Sequence, residues 1–190
     1  MKIAFFDTET TGLDPRTEEI IEIHFQIWDS NGAGADTSPD GTFSRLWMPQ
    51  GDCNPGAAEV NGFTREAWAA RGAETMKRQD LIELDWWLAR HKPDMFGGAA
   101  THFDVGMLGN AFDRVRVPRP KMSHRQLDIQ SLATPLVVAG KIGGVSLAKI
   151  CDFLGVTNLA PHTAKGDCDA TIDAFERLVG MYWPAMAGAA

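Results

Sequence analysis

The 190-residue sequence is poor in features that would each point to a particular class of protein. It has three cysteines, Cys53, Cys151 and Cys168, without CxxC spacing, so neither a disulfide framework nor a zinc ribbon is indicated. No apolar run approaches the ~18 residues that a membrane-spanning helix requires. The first apolar run, 3–6, ends at Asp7 and is too short for a secretory signal. We therefore expect a cytoplasmic protein with reduced thiols and no membrane partner.

Positive charge is also scarce, because 18 Lys and Arg face 25 Asp and Glu and leave a net charge of −7. A protein that binds nucleic acid through its overall charge should be basic, so any such role here requires a local site. The content of 44% hydrophobic and 23% charged residues is typical of a globular protein. The length predicts one domain, over 1–181, followed by a short C-terminal tail over 182–190.

Hydrophobic periodicity predicts an α/β domain with a mixed central sheet. Strands are predicted over 2–9, 18–30, 43–48 and 94–100, and the first three form an antiparallel meander. In the second strand, apolar residues alternate with polar ones such as His24 and Gln26, which predicts one solvent-exposed face. A short helix and turn are predicted over 54–64, followed by helices over 64–70, 75–91, 104–115, 128–138, 146–154 and 166–181.

Two acids stand at the end of the first predicted strand, in "IAFFDTETTGL" (3–13). Residues two apart in a strand point the same way, so Asp7 and Glu9 share a direction at the strand's carboxyl end, where open α/β sheets bind ligands. Asp104 and Asp167 each head the apolar stripe of a predicted helix, although either acid could simply stabilise the helix N-terminus. Four inward carboxylates would repel one another unless a cation lies among them. We therefore predict a site for a hard divalent cation, which prefers oxygen ligands.

Three motifs stand out in the sequence: "FDTETTG" (6–12), "FDVGML" (103–108) and "HTAKGDCDAT" (162–171), in which His162 and Asp167 have H-x4-D spacing. Together they resemble the motifs of the DEDD exonuclease superfamily in its DnaQ-like, histidine-bearing (DEDDh) branch. Tyr182, the single tyrosine, follows Asp167 and does not fit the Y-x3-D spacing of the other branch. Similar segments between the motifs extend the resemblance to nearly the whole chain: "IIEI" (20–23), "NPGAAEVNGFT" (54–64), "LDIQSLA" (127–133) and "SLAKICDFLGV" (146–156).

This resemblance implies a ribonuclease-H-like fold and a metal-dependent 3′–5′ exonuclease. Such an enzyme releases nucleotides from the 3′ end of single-stranded nucleic acid, with DNA favoured over RNA, and a DNA polymerase is a further candidate partner. His162 would act as general base on the attacking water, and two Mg²⁺ or Mn²⁺ ions would be held by Asp7, Glu9, Asp104 and Asp167. The positions that match substrate-binding residues are Thr10, Thr11, Gly12 and Leu13. Val60 and Phe63 either line the base pocket or are ordinary core residues.

The sequence departs from the family pattern at one place. Relatives usually carry a His-Asn pair where this chain has Ala99 and Ala100, so nucleotide binding could differ, and His102 either compensates or is an ordinary loop residue. The segment 114–125 carries five Arg or Lys and no acid, which suits a solvated loop or a path for phosphates. The alternative to an enzyme is a catalytically silent family member that binds nucleic acid or a polymerase. The complete set of four acids and a histidine favours the enzyme, and the oligomeric state stays open.

Overall fold

A computed structural model describes residues 1–32, 34–121 and 125–187, with side chains as far as 182. Its centre is a six-stranded sheet in the order β3-β2-β1-β5-β6, and β4 also pairs with β2. The strands are β1 (Lys2–Thr10), β2 (Ile20–Asp29), β3 (Gly34–Ala35), β4 (Thr42–Leu46), β5 (Met95–Gly98) and β6 (Gln126–Asp128). The pairs of β2 with β1, β3 and β4 are antiparallel, and β5 is parallel to β1 and β6. The mixed sheet with an antiparallel meander is therefore confirmed.

Helices flank both faces of this sheet. They are α1 (Pro55–Asn61), α2 (Arg65–Ala70), α3 (Arg78–His91), α4 (Thr101–Arg114), α5 (Ile129–Val138), α6 (Leu147–Leu154) and α7 (Ala164–Ala187). The last helix continues through 182–187, which were predicted as tail, and 188–190 lie outside the described residues. Among the described helices, none is both long enough and apolar enough to span a bilayer.

The side chains of β1 alternate between two apolar layers. Ala4 and Phe6 pack with residues of α3 and α4, and Phe6 stacks on Phe25 of β2 with ring centroids 4.5 Å apart. Ile3 and Phe5 pack on the opposite face with residues of α5, α6 and α7. Because both faces of this central strand are covered, its sequence is a continuous apolar run. The alternation continues past the core, so Asp7 and Glu9 point to the α7 side of the sheet.

The prediction of a solvent-exposed face on β2 is wrong. His24 and Gln26 are only 2% and 5% exposed, because α7 packs across β1 and β2 on this face. One polar atom of each side chain has a partner inside the protein: His24 Nδ1 lies 2.6 Å from Ser44 Oγ, and Gln26 Nε2 donates to Asp36 O at 3.4 Å. Polar residues on this face of β2 therefore lie beneath a helix rather than in contact with water.

Candidate active site

Three carboxylates meet at the carboxyl end of β1. Asp7 and Glu9 come from the strand, and Asp167 comes from the first turn of α7. One carboxylate oxygen from each residue lies within 4.8 Å of the other two. Glu9 is buried, whereas Asp7 and Asp167 are half-buried and reachable from solvent. We call these three residues the carboxylate group.

Asp104, the fourth predicted acid, lies beside this group rather than within it. It occupies the first turn of α4, which begins at Thr101 rather than near Asp104, and it is 3% exposed. Its Oδ1 accepts hydrogen bonds from Thr8 N at 3.1 Å and from Thr8 Oγ1 at 2.6 Å. Asp104 still acts on the group electrostatically, since its charge helps to raise the pKa of Asp7.

Burial and mutual repulsion make the ionised forms of these acids unfavourable. Burial raises the pKa of the Glu9 carboxyl to about 8, and repulsion from Asp167, Glu22 and Asp104 adds to the shift. Burial also raises the pKa of Asp7 well above its usual value, with further contributions from its acidic neighbours. It raises the pKa of Asp104 to about 7, although the hydrogen bonds from Thr8 act in the opposite direction.

The raised pKa values of these carboxyl groups indicate whether the site could bind a metal ion. A bound divalent cation would stabilise the ionised carboxylates and so remove the repulsion that now raises their pKa values. The donors are all carboxylate oxygens, which are the ligands that Mg²⁺ and Mn²⁺ prefer. The residues present therefore fit a site for hard divalent cations.

Three further residues around the acids were not identified from the sequence. Asn158, in the loop between α6 and α7, donates from Nδ2 to Asp167 Oδ1 at 2.5 Å. Thr8 holds Asp104, and Glu22 lies opposite Glu9 in the register of β1 and β2. The Thr8 and Asn158 side chains carry no charge and follow no periodic pattern, so no sequence signal separates them from other loop or strand residues.

His162 lies on the loop before α7, as predicted. It is exposed, and its backbone is left-handed with φ of 61°. Non-glycine residues adopt this conformation infrequently, and strained backbone tends to occur at functional sites. The loop is fastened to the helix because Thr163 Oγ1 donates to Ala160 O at 2.7 Å and Asp167 N donates to Thr163 O at 3.0 Å. The role of His162 as general base stays a prediction.

A cleft of about 450 Å³ adjoins Glu9 and is lined by four of the six predicted substrate-binding residues. Those four are Thr10, Gly12, Leu13 and Val60. The side chains of Leu13 and Val60 are 84% and 54% exposed, so two apolar groups stand unpacked at the cleft. Phe103, from the first turn of α4, lines the same cleft. Its size and mixed lining suit a small organic ligand such as one nucleotide.

Thr11 and Phe63 are not among the residues that line this cleft. Thr11 is 2% exposed, and its Oγ1 donates to Glu18 Oε2 at 2.6 Å, so its side chain holds the turn after β1. Phe63 is 8% exposed and packs edge-on against Trp68, with ring centroids 5.1 Å apart. Of the two readings for Phe63, the structure therefore places it in the core.

The departure from the family pattern falls at the start of α4. Ala99 packs against the core, and Ala100 has left-handed backbone with φ of 65° at the N-cap position, without a side-chain cap. Asparagine tolerates that conformation better than alanine and is a favoured N-cap. His102 is exposed in the first turn of the same helix. The helix that carries Asp104 therefore begins without a side-chain cap.

The basic segment 114–125 is described only in part, because 122–124 lie outside the described residues. Within the described part, Arg119 Nη2 pairs with Asp113 Oδ2 at 2.5 Å, and Arg114 Nη2 donates to Arg16 O at 3.4 Å. Arg119 is thus partly neutralised by its neighbour. A role for this segment as a path for phosphates stays a prediction.

Residues 4–175 match the model of the exonuclease family RNase_T. No curated protein matches the chain. Three similar solved structures are cell-death related nuclease 4 (CRN-4), E. coli Exonuclease I in complex with a dT13 oligonucleotide, and a moderately thermophilic Exonuclease I from Methylocaldum szegediense. Their TM-scores are 0.75, 0.76 and 0.73, with sequence identities of 13%, 17% and 18%.

The superpositions cover most of this chain but only part of the neighbours. They include 95%, 99% and 96% of this chain and 64%, 43% and 41% of CRN-4 and the two Exonuclease I structures, respectively. This chain therefore spans less than two thirds of the length of each protein. At these identities the likeness shows the fold alone, and the ribonuclease-H-like arrangement implied by the motifs is confirmed.

Proposed function

Because the chain belongs to the RNase_T exonuclease family of the DEDD superfamily, through the match over residues 4–175, we propose that it is a metal-dependent 3′–5′ exonuclease. Its substrates are single-stranded nucleic acid ends, with DNA favoured over RNA. The observation that carries the proposal is the carboxylate group of Asp7, Glu9 and Asp167 at the end of the central strand. The family match supports nuclease chemistry, and the Exonuclease I complex with dT13 supports a single-stranded DNA substrate.

In this proposal, two Mg²⁺ or Mn²⁺ ions would be held by Asp7, Glu9, Asp104 and Asp167. When bound, such cations neutralise charge on the scissile phosphate and favour ionisation of the attacking water. The raised pKa values of Asp7, Glu9 and Asp104 support this role, because each carboxyl lacks a compensating charge. Thr8 keeps Asp104 oriented through its two hydrogen bonds.

His162 accepts the proton of the attacking water at a ring nitrogen. The water oxygen then forms a bond to phosphorus while the bond from phosphorus to the 3′ oxygen of the preceding nucleotide breaks. The products are a nucleoside 5′-monophosphate and a strand one nucleotide shorter, whose 3′ oxygen takes a proton from solvent. Imidazole suits this step because it exchanges protons near neutral pH.

The cleft beside Glu9 receives the terminal nucleotide. Leu13 and Val60, both exposed there, pack against its base, and this contact depends little on base identity because every base has an apolar face. A terminal base enters such a cleft more easily when it is unpaired, because no pairs have to be broken first. A single-stranded 3′ end therefore suits the cleft better than a paired end.

The direction of degradation tests the proposal. Linear DNA and RNA strands of equal length, each labelled at the 5′ end, should shorten progressively from the unlabelled end when Mg²⁺ is present, and the DNA should shorten faster. A circular single strand of the same DNA is the matched control and should stay intact. Immediate release of the labelled 5′ nucleotide, or cleavage of the circle, would overturn the proposed direction. Binding without any cleavage would favour the silent family member instead.

A further inference from the structure

The loop between α6 and α7, residues 155–163, joins two parts of the candidate site through one side chain. Asn158 Nδ2 donates to Asp167 Oδ1 at 2.5 Å, and Asn158 Oδ1 accepts from Ala160 N at 3.1 Å. The amide is thereby bonded to a member of the carboxylate group and to the backbone just before His162. Asn158 is half-buried, so its amide is partly protected from competing water.

The same loop is fastened to α7 on the other side of Ala160. Thr163 Oγ1 donates to Ala160 O at 2.7 Å and accepts from Gly166 N at 3.1 Å. Gly166 lets the two segments approach closely, because a Cβ at this position would lie 2.0 Å from Ala160 O. The loop and the first turn of α7 therefore form one connected unit that contains both Asn158 and His162.

We propose that Asn158 is a positioning residue that fixes the Asp167 carboxylate for cation binding and, through Ala160, sets the place of His162. The inference rests on the proposed function, since it concerns the cation and the general base of that reaction. A neutral amide suits the task, because its N–H restricts the carboxylate while leaving other oxygen lone pairs for a cation. A lysine at position 158 would compete with the cation for Asp167, and an aspartate there would repel the Asp167 carboxylate.

Direct binding of Mn²⁺ without nucleic acid tests the first half of this role. Electron paramagnetic resonance should show that Asn158→Ala binds Mn²⁺ roughly 10–100-fold more weakly than the wild type, as is usual when an outer partner of a ligand is lost. Asn31→Ala is the matched control, since Asn31 is exposed in the turn after β2, and it should bind as the wild type does. Wild-type Mn²⁺ affinity in a folded Asn158→Ala protein would overturn the proposal.

Turnover measurements on two variants separate the effect of the hydrogen bond from Asn158 to Asp167 from the effect of the hydrogen bond between Asn158 and the loop backbone. Asn158→Asp can still accept from Ala160 N but cannot donate to Asp167 when ionised, so its kcat should fall by roughly 10–100-fold while KM changes little. In Asn158→Ala, which loses both bonds, kcat should fall further. If Asn158 served only to shape the loop, Asn158→Asp would keep wild-type kcat, and that result would contradict the proposal. Thermal unfolding of both variants checks that they are folded.

The two readouts also distinguish this inference from the proposed function. If the wild type binds Mn²⁺ but degrades no nucleic acid, the proposed function fails, and the Mn²⁺ affinities of wild type and Asn158→Ala still decide whether Asn158 positions Asp167. If the wild type binds no Mn²⁺, both proposals fall together.

Discussion

At the scale of single residues, the folded protein places several carboxyl groups in surroundings that raise their pKa values and so favour the protonated, neutral form. Burial is the largest cause at Asp7, Glu9 and Asp104, and repulsion between carboxylates is the next at Asp7 and Glu9. Positions of this kind oppose folding at neutral pH and are therefore typical of binding or catalytic sites. The stability of the metal-free protein should report this cost directly.

We expect the metal-free protein to lose stability as the pH rises from about 5 to about 8. The usual pKa values of Asp and Glu are 3.8 and 4.5, whereas burial raises the pKa of Glu9 to about 8 and that of Asp104 to about 7. The folded state therefore binds more protons than the unfolded chain across this window, so stability is greatest at its lower end and falls as these carboxyls ionise. Thermal unfolding in excess chelator measures the decline. Saturating Mg²⁺ should flatten it, and a melting temperature that increases with pH would contradict the assignment.

His162 distinguishes a catalyst from a protein that only binds metal and nucleic acid. His162→Ala should keep Mn²⁺ and DNA binding but lose roughly 10²–10⁴ in turnover, the usual contribution of a positioned general base. His102→Ala is the comparison, because His102 is also exposed but lies in the first turn of α4, and it should cost far less. Single-turnover kinetics across a range of pH provide the measurement. Normal turnover in His162→Ala would mean that the water is activated without this imidazole.

The meeting of Asp7, Glu9 and Asp167 could be predicted from the sequence, but the groups that hydrogen-bond to the acids could not. A charged residue is unexpected at the end of an apolar strand or at the start of the apolar stripe of a helix, because these positions are usually buried. Such a residue therefore stands out in the hydrophobic pattern of the sequence. Thr8 and Asn158 are neutral residues in ordinary positions, and each gains its role from a contact across the fold. Such contacts depend on tertiary structure and leave no local signal.

At the scale of elements, the α6–α7 loop approaches α7 closely at Gly166. Gly166→Ala should destabilise the protein by about 1–3 kcal/mol, because the added Cβ would meet Ala160 O at 2.0 Å and the backbone must shift. Gly180→Ala in the same helix is the matched control, since a Cβ there meets nothing within 4 Å, and it should stabilise the protein by about 0.5–1 kcal/mol. Urea unfolding of the two variants provides the comparison. Equal effects would show that the approach is not tight.

The long elements could be predicted from their strong periodicity. The shortest strands were missed, and the burial of one face of β2 was not predicted. β3 has two residues and β6 has three, which is too few to display alternation. The polar face of β2 looked solvent-exposed because alternation alone does not reveal what packs on it. The cover is α7, whose Asp167 also belongs to the candidate site. The same helix, α7, therefore supplies a residue of the candidate site and buries the face of β2 that the sequence pattern predicted to be exposed.

At the scale of the whole molecule, an acidic protein is proposed to act on a polyanion. Its net charge of −7 disfavours attraction by the surface as a whole. Arg119, in the basic segment after α4, is partly neutralised by Asp113. We therefore expect cations at the carboxylate group to offset much of the charge of the substrate. The activity should therefore depend on a divalent metal ion.

The most direct measurement of that claim is the degradation of 5′-labelled single-stranded DNA with Mg²⁺ and with excess chelator. The comparison includes the wild type, Asp7→Asn and the matched control Asp52→Asn, in which an exposed acid is replaced. We predict that the wild type and Asp52→Asn shorten the strand only with Mg²⁺. Asp7→Asn should lose most of the activity, while its metal-free melting temperature stays the same or increases because repulsion is relieved. Undiminished shortening in excess chelator, or full activity of Asp7→Asn, would contradict the account.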